Sequence, residues 1–128
     1  MRSRSAVLIL SLLVGSAWAQ SPSQVEFFES NIRPILVTTC EACHGEKVQM
    51  GGVQFTDAET LHRSGVVVPG DAEASRMVQA LWYSGEIKMP PAGKLPDTEI
   101  QAFERWVNEG AFWSQTAAGV DIRAAAGY

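Results

Sequence analysis

The sequence has few tyrosines, few cysteines and no excess of basic residues. It contains two tyrosines and two cysteines in 128 residues, and its 14 acidic side chains outnumber the 10 basic ones, for a net charge of −4. A chain without a basic cluster has little to offer a phosphate backbone, so we expect no nucleic-acid partner. Basic or neutral patches on other proteins are the partners that this acidic surface favours.

The chain also lacks a long hydrophobic run. Its one apolar stretch, Ala6 to Val14, follows Arg2 and Arg4, precedes the small-residue sequence at 17–19, and is about half of the roughly 20 residues that span a bilayer. This arrangement is typical of a secretory signal peptide at residues 1–19. We therefore expect a periplasmic or otherwise exported protein that keeps no membrane span after cleavage and is a monomer.

Removal of the signal peptide takes away two arginines and no acidic residue, so the net charge moves from −4 to −6. What remains suffices for one small domain, predicted at 20–113, whose core buries little apolar surface. Residues 114–128 are rich in Ala and Gly and are predicted to be a loosely ordered tail.

Apolar spacing predicts helices at the two ends of this domain. Between Ser23 and Thr38 the apolar residues recur at three- and four-residue steps, and Pro34 should bend that helix or restart it. A last helix should begin at Asp97 or Thr98, with Gln101 placed for a capping box, and end at Gly110. Residues on the two helices are predicted to form the core: Phe28, Ile32, Phe103 and Trp106.

The middle of the chain is rich in glycine. Residues 45–74 should form a long loop, in which 53–55 and 66–68 could pair as a small ribbon. Ser75 should cap a short helix that ends before Gly85, and a second loop follows at 86–96. A loop this long is unusual in a compact domain, but wrapping around a bulky cofactor would explain it.

Cys40, Cys43 and His44 form the sequence Cys-x-x-Cys-His. In this spacing two thiols reach the two vinyl groups on one edge of a porphyrin while the next residue turns back under the iron. The neutral imidazole then binds the iron, and its other nitrogen donates to a carbonyl that fixes the ring. The motif predicts one covalently attached haem c.

Two other readings of the cysteines remain. A disulfide or thioredoxin-like redox pair would need a βαβ pattern around the motif, which the sequence lacks. A zinc site could combine the motif with His62, but adjacent Cys43 and His44 rarely point at one tetrahedral metal.

The sixth iron ligand is predicted to be Met89. It precedes Pro90 and Pro91, so the backbone there is extended and stiff and could hold a thioether at the iron. Met77 suits a core position better. His62 is the alternative ligand.

Other residues are weaker candidates near the cofactor. The carbonyl of Pro69 or Gly70 could receive the His44 hydrogen bond, although an ordinary turn explains this pair equally well. Aromatic or cationic side chains could line the haem edge or meet its propionates: Arg76, Trp82, Tyr83 and Lys88.

These motifs together resemble the planctomycete-type cytochrome c domain, over about residues 25–113. The resemblance rests on Phe28, Ile32-Arg33-Pro34, Cys40 to Gly45, Gly51-Gly52, Ser64-Gly65, Pro69-Gly70, Ser75, Met89-Pro90-Pro91, Trp106, Gly110-Ala111 and Trp113. It implies an all-α, class I cytochrome c-like fold of three to four helices with long loops around one covalent haem. It also implies the binding roles of Cys40, Cys43, His44 and Met89. His62-Arg63 departs from the family, which tends to have glycine there.

An iron with both axial positions filled by protein has no site for substrate. We therefore expect a non-enzymatic carrier, or electron-transfer subunit, that passes single electrons between redox partner proteins. The alternative is a haem-based gas sensor or peroxidase-like enzyme with an open sixth position, for which His62 is the sole candidate distal group.

Overall fold

The computed structural model describes residues 21–115, and this part of the chain consists of four helices joined by loops. Helix α1 covers residues 22–40, α2 is Ala58–Ser64, α3 is Arg76–Leu81 and α4 is Asp97–Asn108. The described residues contain no β-strand, so the predicted all-α class is confirmed and the predicted ribbon is wrong. The predicted signal peptide, and the predicted tail from residue 116 onward, lie outside the described residues.

Helix α1 is long and changes its winding twice. Pro22–Phe27 and Arg33–Ile35 are α-helical, while Phe28–Ile32 and Leu36–Cys40 are wider π-helical turns. Pro34 lies in the second α-helical segment, directly after a π turn. A proline lacks the N–H for the regular ladder, and its ring would clash with the carbonyl four residues earlier, so a widened turn before it relieves both problems. The helix therefore continues past Pro34 and ends at Cys40.

The core forms where α1 crosses α4. Phe28 and Phe103 are both fully buried, and the Trp106 ring contacts each of them, at centroid distances of 5.9 and 6.0 Å. Ile32 and Met77 belong to the same buried cluster, as predicted. Tilted and edge-on aromatic pairs of this kind contribute beyond the area they bury, so the crossing fixes the angle between the first and last helices.

A buried arginine fastens residues 111–115 to α1. Arg33 forms two hydrogen bonds with the Glu29 carboxylate, at 2.8 and 3.2 Å, and it also donates to the carbonyl of Ser114. Its guanidinium lies 4.8 Å from the ring centroid of Phe28 and 5.4 Å from that of Trp113. A planar fork can bond and stack at once, and Ser114 is buried as a result.

Helix α2 lies inside the segment predicted to be a loop. The Asp57 carboxylate accepts a hydrogen bond from the backbone N–H of Thr60, and the Thr60 hydroxyl accepts one from the backbone N–H of Asp57, which closes a reciprocal cap. Gly65 ends the helix in the left-handed conformation. Leu61 is buried in the core, so a well-capped turn and one apolar anchor suffice to form this helix.

The predicted caps of α3 and α4 are wrong. Ser75 precedes α3 but does not cap it; its hydroxyl instead donates to the Asp71 carbonyl and accepts from the Val68 N–H, which closes the preceding loop. Helix α4 follows Pro96 and has no side-chain cap, so Gln101 forms no capping box. None of the helices between residues 21 and 115 has the length and apolar character needed to cross a membrane.

Candidate haem site

The Cys-x-x-Cys-His motif occupies the turn at the end of α1. Cys40 is the last helical residue, and its carbonyl accepts hydrogen bonds from the N–H of Cys43, at 3.2 Å, and of His44, at 2.9 Å. The two thiols are free, Cys43 is exposed and Cys40 is partly covered. One turn of backbone therefore presents both thiols and the imidazole, which is the arrangement that the spacing predicts.

The His44 imidazole is held on two sides. Its Nδ1 atom lies 3.2 Å from the carbonyl oxygen of Val53, and the Phe55 ring lies 5.3 Å from the imidazole centroid. The backbone between them is also paired, since the Phe55 N–H donates to the His44 carbonyl at 2.8 Å. In the tautomer with a proton on Nδ1, the imidazole donates to Val53 and leaves the Nε2 lone pair available to a metal.

This hydrogen bond corrects one prediction and exposes a gap in another. The carbonyl that faces His44 belongs to Val53, not to Pro69 or Gly70. The N–H of Gly70 instead donates to Val107 at the end of α4. The sequence allowed a small ribbon at 53–55, because two apolar residues on either side of a polar one are typical of a strand. The same pattern does not show that Val53 and Phe55 lie beside a histidine.

Gly45 leaves room for the turn. A Cβ atom on this residue would lie 2.3 Å from the carbonyl oxygen of Glu41, a backbone atom that cannot swing aside. The Gly45 N–H also donates to Val48 at 2.8 Å, which starts the loop that brings Val53 to His44. The glycine after the histidine is therefore required by close backbone approach.

Burial raises the pKa of the Cys40 thiol to about 12, with smaller contributions from the charges of Glu41 and Cys43. Partial burial in an apolar wall disfavours the thiolate. The environment of Cys40 therefore favours the thiol over the thiolate, the form that attacks disulfides.

Met89 lies in the loop between α3 and α4. Its side chain is partly buried, its backbone N–H donates to the Ala80 carbonyl at 3.1 Å, and the peptide bond to Pro90 is cis. The Tyr83 hydroxyl donates to the Pro90 carbonyl. Hydrogen bonds on both sides therefore attach Met89 and Pro90, called the Met89 strip below, to the end of α3.

The residues present fit a haem. The donor set contains a neutral imidazole oriented through its second nitrogen, two thiols on one turn and a thioether on a separate restrained loop. Large apolar side chains are exposed in the loops that carry these donors: Val48 and Met50 follow His44, and Ile87 precedes Met89. A flat apolar macrocycle bound to these nitrogen and sulfur donors would cover such exposed apolar side chains.

Two of the competing readings do not fit. No three His, Cys, Asp or Glu side chains within residues 21–115 are arranged to hold a metal ion, so the zinc site is wrong. The described range also has no strand that could supply the βαβ unit of a thioredoxin-like redox pair.

His62 lies on the exposed side of α2. It lines a cavity of about 270 Å³ together with Leu61, Val67, Pro69 and Gly110 and two alanines, and none of the predicted haem ligands is part of that lining.

The residues predicted to lie near the haem edge have distinct surroundings. The Trp82 indole donates to the Glu104 carboxylate at 2.7 Å, and the Lys94 ammonium lies 4.7 Å from the Trp82 ring centroid. Arg76 and Lys88 are exposed. The Trp82–Glu104 bond joins the end of α3 to α4, a contact that no spacing rule could have found because 22 residues separate the partners.

Comparison with known families agrees with this geometry. Residues 40–93 match the family model described as Planctomycete cytochrome C. The matched segment is less than half of the chain, but it begins at Cys40 and extends beyond Met89, so it contains all four residues predicted to bind the haem. The predicted resemblance is confirmed, and the match indicates a cytochrome c-type domain, a class that binds haem and transfers electrons. Searches of curated proteins and of solved structures gave no match.

Proposed function

We propose that this protein is an exported mono-haem c-type cytochrome that carries single electrons between redox partner proteins. Cys40 and Cys43 hold the haem through thioether bonds, and His44 and Met89 are the axial ligands. The observation that carries the proposal is the His44–Val53 hydrogen bond of 3.2 Å, at the end of the turn that also presents both thiols.

The imidazole is suited to a permanent ligand role. By donating its Nδ1 proton to the Val53 carbonyl, His44 fixes its ring plane and leaves Nε2 free to bind the iron with increased basicity. The Phe55 ring beside it limits rotation and keeps water from that side. Both effects favour one orientation of the ring in both oxidation states, so little reorganisation accompanies electron transfer.

The haem supplies the one-electron chemistry, because its iron alternates between ferric and ferrous states. The polypeptide supplies the ligands, the apolar surroundings and an acidic surface. Bound by both His44 and Met89, the iron would have no free position for substrate, and the haem would supply outer-sphere transfer of single electrons. A thioether opposite an imidazole favours the ferrous state and raises the reduction potential relative to two imidazoles.

Ligation by Met89 is tested with Met89→Ala and the control His62→Ala. The ferric wild-type protein should show the weak sulfur-to-iron charge-transfer band in the far red, and Met89→Ala should abolish it, admit carbon monoxide to the ferrous iron and lower the reduction potential. His62→Ala should change none of these. Rapid binding of carbon monoxide by the wild-type protein, or loss of the sixth ligand in His62→Ala alone, would favour a gas sensor or peroxidase-like enzyme instead.

Covalent attachment is tested by extraction. After denaturation in acidified acetone the polypeptide should keep its colour, because thioether bonds survive a treatment that removes non-covalent haem. Cys40→Ala and Cys43→Ala should each leave a single thioether and a low yield of holoprotein, since cofactor binding contributes to folding. A colourless wild-type polypeptide would exclude a c-type cytochrome.

A further inference from the structure

Tyr83 occupies a backbone conformation that tyrosine rarely adopts. Its φ is +58°, in the left-handed region, directly after α3 and its C-terminal residue Trp82. Glycine is the usual residue at such a position, because a Cβ atom there crowds the following carbonyl. A bulky side chain at a strained position raises the question of what it does there that glycine could not do.

The hydrogen bonds around Tyr83 show where the side chain acts. Its own N–H and the N–H of Met89 both donate to the Ala80 carbonyl, each at 3.1 Å, so the turn and the methionine share one acceptor. The Tyr83 hydroxyl donates to the carbonyl of Pro90, the residue after Met89. Met89 is thus attached on its N-terminal side through Ala80 and on its C-terminal side through the Tyr83 side chain.

We propose that Tyr83 is a positioning residue that restrains the Met89 strip and so sets how readily the methionine gives up the sixth position. This role rests on the proposed ligation by Met89. The Ala80 bond alone leaves the strip free to swing about one point, whereas the second bond, at the carbonyl of the next residue, removes that motion. The strained turn aims the phenol at Pro90, which a regular helical continuation of α3 would not do.

The consequence is measurable as competition. An exogenous ligand binds the ferric iron by displacing Met89. If the equilibrium constant for Met89 binding falls by some factor, the apparent affinity of the exogenous ligand rises by the same factor. Loss of one neutral hydrogen bond corresponds to a factor of about 3–10 in such an equilibrium. Tyr83→Phe should therefore increase the apparent affinity for imidazole about 3- to 10-fold, while the charge-transfer band stays present without imidazole.

The matched control is Ser84→Ala. Ser84 is the next residue of the same turn, and its hydroxyl donates to the Gln79 carbonyl at 3.0 Å, so the substitution removes the same kind of bond without touching the Met89 strip. Imidazole affinity should match that of the wild type. Tyr83→Gly is a second variant, which relieves the left-handed strain and therefore folds, yet loses the phenol; it should show the increased affinity too.

The outcomes separate this role from the ligation it rests on. A wild-type protein that lacks the charge-transfer band, or keeps it in Met89→Ala, would exclude Met89 ligation and the role of Tyr83 with it. An intact, Met89-dependent band together with equal imidazole affinities in the wild type, Tyr83→Phe and Ser84→Ala would overturn the role of Tyr83 alone. A rise of equal size in Tyr83→Phe and Ser84→Ala would do the same, because it would reflect general loosening of the turn.

Discussion

The crossing of α1 and α4 and the loops that carry the candidate ligands are built in opposite ways. At the crossing, large side chains such as Phe28 are 0% exposed and contact further aromatic rings. In the loops at 41–57 and 82–96, Met50 and Ile87 are 58% and 59% exposed. Hydrogen bonds to backbone carbonyls hold both loop residues: the His44 imidazole bonds to Val53, and the Met89 N–H donates to Ala80.

This difference indicates that the two regions have different roles. The crossing buries its apolar surface within the polypeptide, while the loops leave large apolar side chains exposed in the part of the chain that the structure describes. A cofactor in contact with the loops would cover them. Substitutions at the crossing should therefore mainly lower stability, and by larger amounts. Substitutions in the loops should mainly change the properties of the bound cofactor.

The largest effect should come from Phe28→Ala. Removing a fully buried aromatic ring that contacts Trp106 and Trp113 should lower the free energy of unfolding by about 3–5 kcal/mol, because transfer and cavity costs add. Ile87→Ala should cost about 1 kcal/mol or less. Urea denaturation of the holoproteins, followed by circular dichroism, checks both values. A greater loss for Ile87→Ala would reverse the comparison and make the cofactor side the principal core.

A second test compares two arginines at different depths, each of which pairs with a glutamate and stacks on a phenylalanine. Arg33 pairs with Glu29 and stacks on Phe28 while buried; Arg105 pairs with Glu109 at 3.0 Å and lies 4.1 Å from the Phe27 centroid while its side chain is 58% exposed.

Arg33→Gln should cost about 3 kcal/mol, since it takes the guanidinium away from a carboxylate shielded from water. Arg105→Gln should cost about 1 kcal/mol or less, because exposed pairs are screened by solvent. Thermal unfolding of the two variants provides the measurement, and equal losses would mean that burial at the crossing does not strengthen the Arg33 contacts.

A third test applies to the loops alone. Gly45→Ala forces a Cβ atom against the Glu41 carbonyl, so the turn after Cys40 must widen, at a cost of about 1–3 kcal/mol and with a lower yield of covalent haem. Gly85→Ala places a Cβ atom in open space at a backbone conformation that alanine accepts, and should change neither quantity. Haem stain per mole of purified polypeptide measures the yield. Normal yield in Gly45→Ala would show that the close approach is not needed for attachment.

The sequence predicted the crossing better than the loops. Apolar residues at helical spacing predicted α1, α4 and the contact of Phe28 with Trp106, because several apolar residues at the same spacing define one buried helix face. The motif itself predicted the turn at Cys40 and the hydrogen-bonded histidine. It could not identify Val53 as the acceptor, since that contact depends on the path of a glycine-rich loop. Helix α2 escaped prediction because about two turns of helix with one buried leucine have too few apolar residues to show a period.

The smallest effects should come from the helix caps, which occur once in each region. Ser21 caps α1 and Asp57 caps α2, both through reciprocal hydrogen bonds, so the two substitutions Ser21→Ala and Asp57→Ala remove similar interactions. The first turn of α1 contains no buried residue and can fray at little cost, and we expect Ser21→Ala to lower the free energy of unfolding by about 0.5 kcal/mol.

In α2 the cap is adjacent to the buried residues Thr60 and Leu61. Fraying there would expose them, so Asp57→Ala should cost about 1–2 kcal/mol. Asp57 also follows Phe55, the residue beside the His44 ring, at an interval of two. Loss of its cap should therefore loosen the packing of Phe55 against the His44 imidazole and broaden the haem-linked NMR signals of His44. Ser21→Ala should leave those signals sharp. Equal stability losses with no change in those signals would mean that α2 does not support the site.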